Sequence, residues 1–414
     1  MSPRATRRAA YADRQGQRRH RPDYVLFTVT SILLVIGLIV IYAISPGLAA
    51  QKNVSDNYYV GKQLITIILG LVAFAIVANI PTKTWKSLQK PLIGVAVFAT
   101  VVALAMPTSA DYPAHRWIRL GGFSLQSVEV VKFSLLIALA IFLAEKVRTG
   151  KISNVKQTFT PLMYVLLGLG VVVAGLQHDL GSMGVLMAMI AIMAFVAGIP
   201  IKRVLQFSVL IIVLTFLAIS TSAYRRDRIS TYLHPSSDCQ NAGYQACQAL
   251  ISVGSGGIIG KGLGDGVQAY GYLPEAANDS IFAIIGEKFG FLGATIILFL
   301  YAVLFSRIKN VLERAPDLFS RFVVAGVLAW FGTQVIMNVG AMIGILPLKG
   351  ITLPFISSGG TSIIFMLAAV GLVFNISRYT TFSVNTDIEE PSHEDTSQWR
   401  RNRRTYNAHT SRRT

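Results

Sequence analysis

The feature that most constrains this chain is a succession of apolar runs, each near twenty residues long, with short polar punctuation between them. A hydrocarbon core about 30 Å thick is crossed by roughly 20 helical residues, since a helix rises about 1.5 Å per residue and satisfies its own backbone. The runs fall at 24–46, 61–80, 91–107, 129–145, 161–177, 181–199, 204–222, 280–305, 322–346 and 361–377. The fifth and sixth are parted only by Gln177-His178-Asp179-Leu180-Gly181, so that pair also reads as one long buried hairpin. Composition agrees: 53% of the residues are hydrophobic and only 14% charged, against about 25% charged in soluble domains. The reading is an all-α fold, a polytopic helical membrane protein with about ten transmembrane helices, rather than two or three soluble domains. The first run is too long for a secretory signal and no small-residue cleavage site follows it.

Lysine and arginine set the orientation. With the N-terminus inside, the cytoplasmic segments 1–23, 81–90, 146–160, 200–203, 306–321 and 378–414 hold 27 of the 38 basic residues. An even number of spans puts both termini on the cytoplasmic side, and both tails are basic. Residues 1–23 and 379–414 are Arg-rich and poor in large apolar side chains. They read as disordered cytoplasmic tails flanking a transmembrane domain at 24–378. The net charge of +18 is then a topology signal and a contact to anionic lipid, worth roughly 1 kcal/mol per basic residue. Nucleic-acid binding is not expected.

The longest outer loop, Ala223–Asn278, joins spans seven and eight, and loops of this length are usually functional. It holds Cys239 and Cys247, in a compartment where a disulfide persists. A bridge is expected; the alternative is two small side chains packed in a loop. No histidines stand at ligand spacing, so no metal site is read here. Arg225, Arg226 and Arg228 are out of place on an outer face. They fit either headgroup anchoring or a diphosphate clamp, because guanidinium forks match phosphate oxygens. Glycines 254, 256, 257, 260, 262 and 264 allow close backbone approach to a ligand, or tight turns in a re-entrant loop. A P-loop is excluded, since Gly260-Lys261 is followed by Gly262 and Ser255 stands where the first glycine belongs. Asp279 closes the loop at the mouth of span eight. A carboxylate there is a functional candidate and equally a helix N-cap.

Three other outer segments carry polar groups. The loop 108–128 contains His115-Arg116-Trp117-Ile118-Arg119 and Gln126, followed by Glu129 and Lys132 at an i,i+3 spacing that suits a self-satisfied ion pair. The turn Gln177–Gly181 carries Asp179. The loop 346–360 carries Lys349 and the run Leu353-Pro354-Phe355-Ile356-Ser357-Ser358-Gly359-Gly360.

Taken in order, these segments resemble the SEDS family (shape, elongation, division and sporulation), polytopic polymerases that build peptidoglycan strands from lipid II. The resemblance runs from about Tyr24 to Arg378. Arg116-Trp117-Ile118, Gln126, Glu129 and Lys132 are similar to the family's arginine–tryptophan segment and its Gln-Pro-Ser-Glu element, with Ser127 and Val128 replacing Pro-Ser. Gln177–Gly181 resembles Gln-Pro-Asp-Leu-Gly, with His178 for proline. Tyr244-Gln245, the glycine run with Lys261, Tyr272-Leu273-Pro274-Glu275 and Asp279 follow in the family's order. Leu353–Ser357 with Gly359-Gly360-Thr361-Ser362 matches its closing signature. Lys349 before Gly350 leans to the division-type branch rather than the elongation-type one, while Gly271 stands where division-type members carry a glutamate.

The resemblance implies an inverting glycosyl transfer. The donor is a strand on undecaprenyl pyrophosphate, and the acceptor is the sugar 4-hydroxyl of lipid II. It implies Asp279 as the catalytic base. Substrate contacts are implied at Arg225, Arg226, Arg228, Lys349, Arg116, Trp117, Gln126, Glu129, Lys132, Asp179, Tyr244, Gln245, Lys261, Glu275 and Ser357. A divalent cation such as Mg²⁺ would help neutralise the pyrophosphate, though no ligand cluster is visible. The implied partners are a class B penicillin-binding transpeptidase and other divisome proteins. The implied place is the bacterial cytoplasmic membrane at the division septum, with the active site extracytoplasmic. The rival reading is a lipid II flippase, which should carry ionisable residues near mid-membrane. Glu287 and Lys288 are the candidates for that.

Overall fold

Nine of the expected spans coincide with helices in the computed structural model, which describes residues 17–19, 21–107, 114–120, 123–203, 205–206, 209, 239–241 and 243–381. All but three residues of the expected seventh span, most of the loop after it with Arg225, Arg226 and Arg228, and nearly all of both tails lie outside the described residues. The helices are α1 (Tyr24–Lys52), α2 (Tyr58–Asn79), α3 (Thr82–Ala105), α4 (Ser127–Arg148), α5 (Thr160–Leu169), α6 (Leu180–Val196), α7 (Tyr244–Ser255), α8 (Ile281–Glu313), α9 (Leu318–Met342) and α10 (Thr361–Ile376). π-Helical turns at Val155–Phe159 and Gly170–Leu176 lengthen α5 at both ends. Among the described residues seven helical segments are long and apolar enough to cross a membrane, and α6 and α10 are shorter apolar helices. The chain is therefore a multi-pass helical membrane protein.

The sequence boundaries need two corrections. Residues 82–90, expected as a polar link, form the first turns of α3, which continues through Pro91. Trp85 explains why: it is buried at 4% exposure and stacks edge-on against Phe133 of α4, 5.8 Å away. The fifth and sixth spans are separate helices. A tight turn parts them, with His178 at φ 54° and Asp179 capping α6 through its Oδ1 and the Ser182 amide at 2.9 Å.

α4 and α9 form the centre of the body Arg18–Thr380, with 67% and 72% of their most apolar stretches buried, against 22% and 17% for α2 and α3. Small residues let the central helices meet. A Cβ placed on Gly326 of α9 would lie 2.3 Å from Leu136 Cδ1 of α4 and 2.7 Å from Met193 Sδ of α6. α2 and α10 run side by side in a constant register, with Gly371 against the Phe74 carbonyl and Asn375 donating to the Ile80 carbonyl at 2.7 Å. One end of the bundle is latched by Asp23, which caps α1, ion-pairs with Arg307 of α8 at 2.7 Å and donates its amide to Ser377 Oγ. The opposite end carries Asp279, the turn 177–179 and the loop 346–360.

A break in α8 organises the segment before it. Gly290 has φ 63° and ψ −163°, a conformation that only glycine adopts easily. α7 descends beside the first turns of α8, with Ser252 Oγ on the Ala283 carbonyl at 2.9 Å and Gly256 against the Gly286 carbonyl. The chain then turns at the break. The Phe291 and Leu292 amides donate to the Gly257 and Ile258 carbonyls at 2.9 and 3.0 Å. A Cβ on Gly260 would lie 2.2 Å from the Lys288 carbonyl oxygen. The glycine run is thus the tip of a hairpin seated in a broken helix. Ile258 and Ile259, 69% and 78% exposed, leave an apolar surface on that tip.

Candidate active site

Asp279 sits in a tight turn that the sequence before it builds. Glu275 adopts φ 53° and its carbonyl accepts from the Asn278 and Ser280 amides at 2.9 and 3.2 Å. The expected cap position does not hold: Ser280 is the N-cap residue of α8, and its own side chain makes no capping hydrogen bond. Asp279 stands one residue outside the helix and is half-buried. Its carbonyl oxygen accepts from Asn338 Nδ2 of α9 at 2.7 Å. Its carboxylate faces the backbone of Gly350, where an added Cβ would lie 3.4 Å from Asp279 Oδ2. Gln245, at the start of α7, reaches Ser280 Oγ at 3.2 Å and ties that helix to this turn. The Ser358 amide donates to the Ala277 carbonyl at 2.8 Å, and Ser357 Oγ accepts from the Leu353 amide at 2.8 Å. Ser357 is therefore a buried turn-former within the loop.

The turn bearing Asp179 lies on the other side of the same loop. A Cβ on Gly181 would come within 2.6 Å of the Lys349 carbonyl oxygen and 2.8 Å of Ile351 Cγ1. Asp179, 2% exposed, collects Ser182 N and Ser182 Oγ at 2.9 Å, Gln126 Nε2 at 3.2 Å and Arg116 Nη1 at 3.8 Å. Arg116 and Trp117 open the hairpin of β1 (Trp117–Leu120) and β2 (Phe123–Gln126), in which Trp117 pairs with Gln126. The Gln126 amide donates to Thr361 Oγ1 at 3.1 Å, and Gln177 Nε2 donates to Ser127 Oγ at 2.8 Å. The structure thus gathers Arg116, Trp117, Gln126, Asp179, Lys349, Gln245 and Asp279 at one end of the bundle.

Other candidates fall elsewhere. Glu129 and Lys132 form a 2.7 Å ion pair that is almost fully buried, with Lys132 Nζ 5.1 Å from the Trp330 ring centroid. They brace α4 against α9 and present nothing at the surface. Lys261 stands at the hairpin tip, 3.7 Å from the fully buried Glu287, well down α8 from Asp279. Glu275 is exposed and bonded to Asn278 in its own turn. Tyr244 is the first residue of α7. Cys239 and Cys247 are joined in a disulfide, Cα–Cα 5.6 Å. Among the described residues no group of three or more His, Cys, Asp or Glu side chains is placed to hold a metal ion.

Sequence reasoning missed two features. Asn338 was hidden inside an apolar run, though an amide in a membrane helix is costly enough to be a signal in itself. The use made of Glu287 was also missed: its Oε1 accepts from the Val267 and Gln268 amides at 3.0 and 3.4 Å, while Lys288 Nζ donates to the Leu263 carbonyl at 2.6 Å. Both charges hold the hairpin.

Residues 23–382 match the FtsW/RodA/SpoVE family, described as cell cycle protein. The chain belongs to this family, the SEDS proteins. Stage V sporulation protein E of Bacillus subtilis is 37% identical over 87% of this chain and 98% of its own length. The probable peptidoglycan glycosyltransferase FtsW of Geobacter metallireducens is 35% identical over 86% of this chain and 95% of its own. A chain in a structure described as the structural coordination of polymerization and crosslinking by a peptidoglycan synthase complex superposes with a TM-score of 0.70, at 25% identity over 86% of this chain and 98% of that one. The rod shape determining protein RodA of Thermus thermophilus, at 24% identity and a TM-score of 0.62 over 86% of this chain and 97% of that one, shares the SEDS fold.

Proposed function

We propose that this SEDS protein is a peptidoglycan glycosyltransferase that polymerises lipid II, with Asp279 as its base. The observation that carries the reading is the state of Asp279: a partly buried carboxylate one residue before the helix cap, with its Oδ1 buried, its backbone pinned and its Oδ2 against a glycine loop. The acceptor sugar hydroxyl attacks the anomeric carbon of the strand, and the Asp279 carboxylate takes the hydroxyl proton. The new C–O bond forms as the bond to the diphosphate breaks, and the undecaprenyl diphosphate leaves with the electron pair. The transfer inverts the anomeric carbon. The names of the FtsW relatives support this chemistry. Arg225, Arg226 and Arg228 are proposed to hold the departing diphosphate, with Lys349 and Arg116 near the acceptor. Replacing all three arginines with glutamine should weaken lipid II binding about tenfold or more, read by binding to protein in nanodiscs. Unchanged binding would return them to headgroup anchoring.

The basic residues at 81–90, 146–160, 200–203, 306–321 and the two tails support a cytoplasmic face opposite Asp279, so the site is assigned to the extracytoplasmic side. The description of the related synthase complex supports a transpeptidase partner of the class B penicillin-binding type. Lys349-Gly350 and the FtsW relatives support septal cell-wall synthesis during division. Depletion should then give filaments; a defect confined to spores or to rod width would reassign the branch. Against a flippase stands the engagement of Glu287 and Lys288 with the hairpin. The deciding experiment gives purified protein lipid II, with and without a candidate transpeptidase. Glycan chains from the wild type and none from Asp279→Asn support the enzyme. Transbilayer movement of labelled lipid II without polymer would overturn it.

A further inference from the structure

α9 carries an asparagine that the chemistry above does not use. Asn338 is 2% exposed, inside a helix whose apolar stretch is mostly buried. Its amide nitrogen has two hydrogens, and both are committed: Nδ2 donates to the Asp279 carbonyl at 2.7 Å and to the Ile351 carbonyl at 2.7 Å. The two acceptors sit in segments without regular structure, a turn before α8 and the loop 346–360. Neither segment has a ladder or helix to fix its position. The Ile351 carbonyl is one residue from Gly350, the residue whose backbone faces the Asp279 carboxylate. Together with the Ser358 amide on the Ala277 carbonyl, one side chain on a rigid central helix therefore sets the spacing between Asp279 and the loop opposite it.

We propose that Asn338 is a positioning residue for glycosyl transfer, holding the Asp279 turn and the Lys349–Ile351 loop at the separation the base needs. The inference rests on Asp279 acting as that base. A displacement of about 1 Å in a reacting group can cost about 10²-fold in rate. Asn338→Asp keeps the size and shape but replaces two donors with an acceptor facing two carbonyl oxygens, which drives the segments apart. Asn338→Ser is smaller and keeps one donor.

The test is steady-state polymerisation by purified variants, with the amount of inserted protein measured alongside. Asn338→Asp should lower kcat about tenfold to hundredfold while leaving the KM for lipid II and the membrane-inserted yield close to wild type. Asn338→Ser should fall between the two. In an Asp279→Asn background, adding Asn338→Asp should cost no more of the residual rate, because groups that act as one unit lose their effect together. A purely structural role predicts otherwise: yield, KM and kcat would fail together, and losses would multiply in the double variant. Either result overturns the proposal. Normal kcat in Asn338→Asp beside an inactive Asp279→Asn would overturn this inference alone. Near-normal polymerisation by Asp279→Asn would overturn the base assignment and this inference with it.

Discussion

Asp179 and Asp279 come from closely similar stretches of sequence, each ending a polar turn just before an apolar helix. The fold treats them oppositely. Asp179 caps its helix, is 2% exposed, and has Ser182, Gln126 and Arg116 around its oxygens. Asp279 leaves the cap to Ser280 and lies half-buried beside a loop of glycine backbone. A carboxylate surrounded by donors is part of the scaffold, and removing it would cost those bonds. Asp279, one residue before the cap, is the one proposed as the base. The position of an acid relative to its cap, more than its presence in a motif, separates scaffold from chemistry here.

The largest expected effect is at Asp279. Asp279→Asn should insert normally and lose about 10²–10⁴-fold in polymerisation, because asparagine keeps the shape but not the basicity. Next comes Glu287→Ala, which strands the Val267 and Gln268 amides and leaves Lys261 without its carboxylate; about 3–5 kcal/mol of local stability should go. Hydrogen exchange at 256–268 should rise sharply, and unchanged protection would remove Glu287 as the hairpin's anchor. Asp179→Asn should cost about 1–3 kcal/mol, seen as a lower melting temperature in detergent, while the protein that does fold still makes glycan. Full loss of turnover at an unchanged melting temperature would break the contrast between the two aspartates. The smallest effect is expected for Lys261→Gln. Its head is 36% exposed and its ion pair is 3.7 Å long, so stability should shift by less than about 1 kcal/mol and polymerisation should stay near wild type.

Most of the helical plan was legible because length and hydrophobicity are dictated by the bilayer, and Trp85 and Pro91 only shifted one boundary. The Gly290 break was not legible. Phe289-Gly290-Phe291 in an apolar run reads as continuous helix, and the glycine run 256–260 that packs into the break comes from a separate segment. The same run read equally as a ligand cradle or as tight turns, since both need glycine; the Ile258-Ile259 pair within it was the clue to its apolar surroundings. Asp279 was singled out in the sequence, but the cap position of Ser280 was not, because Asp279 and Ser280 are both good capping residues. Glu129 and Lys132 were read both as an ion pair and as substrate contacts. Packing on Trp330 settles their place inside the bundle, away from the surface.

The seat at Gly290 also bears on how the protein is made. The hairpin precedes α8 in the chain, so its tip leaves the ribosome before the helix that will receive it. Until the two meet, Glu287 and Lys288 enter the membrane without their partners, at an insertion cost of about 2.5–3.5 kcal/mol for a charge at the centre of a helix. The eighth helix is then costly to insert alone, and docking of the hairpin offsets that cost. Substitutions at Gly256, Gly260 or Gly290 should then appear first as failed biogenesis, with α8 lagging in the translocon, before any defect in a finished enzyme could be measured.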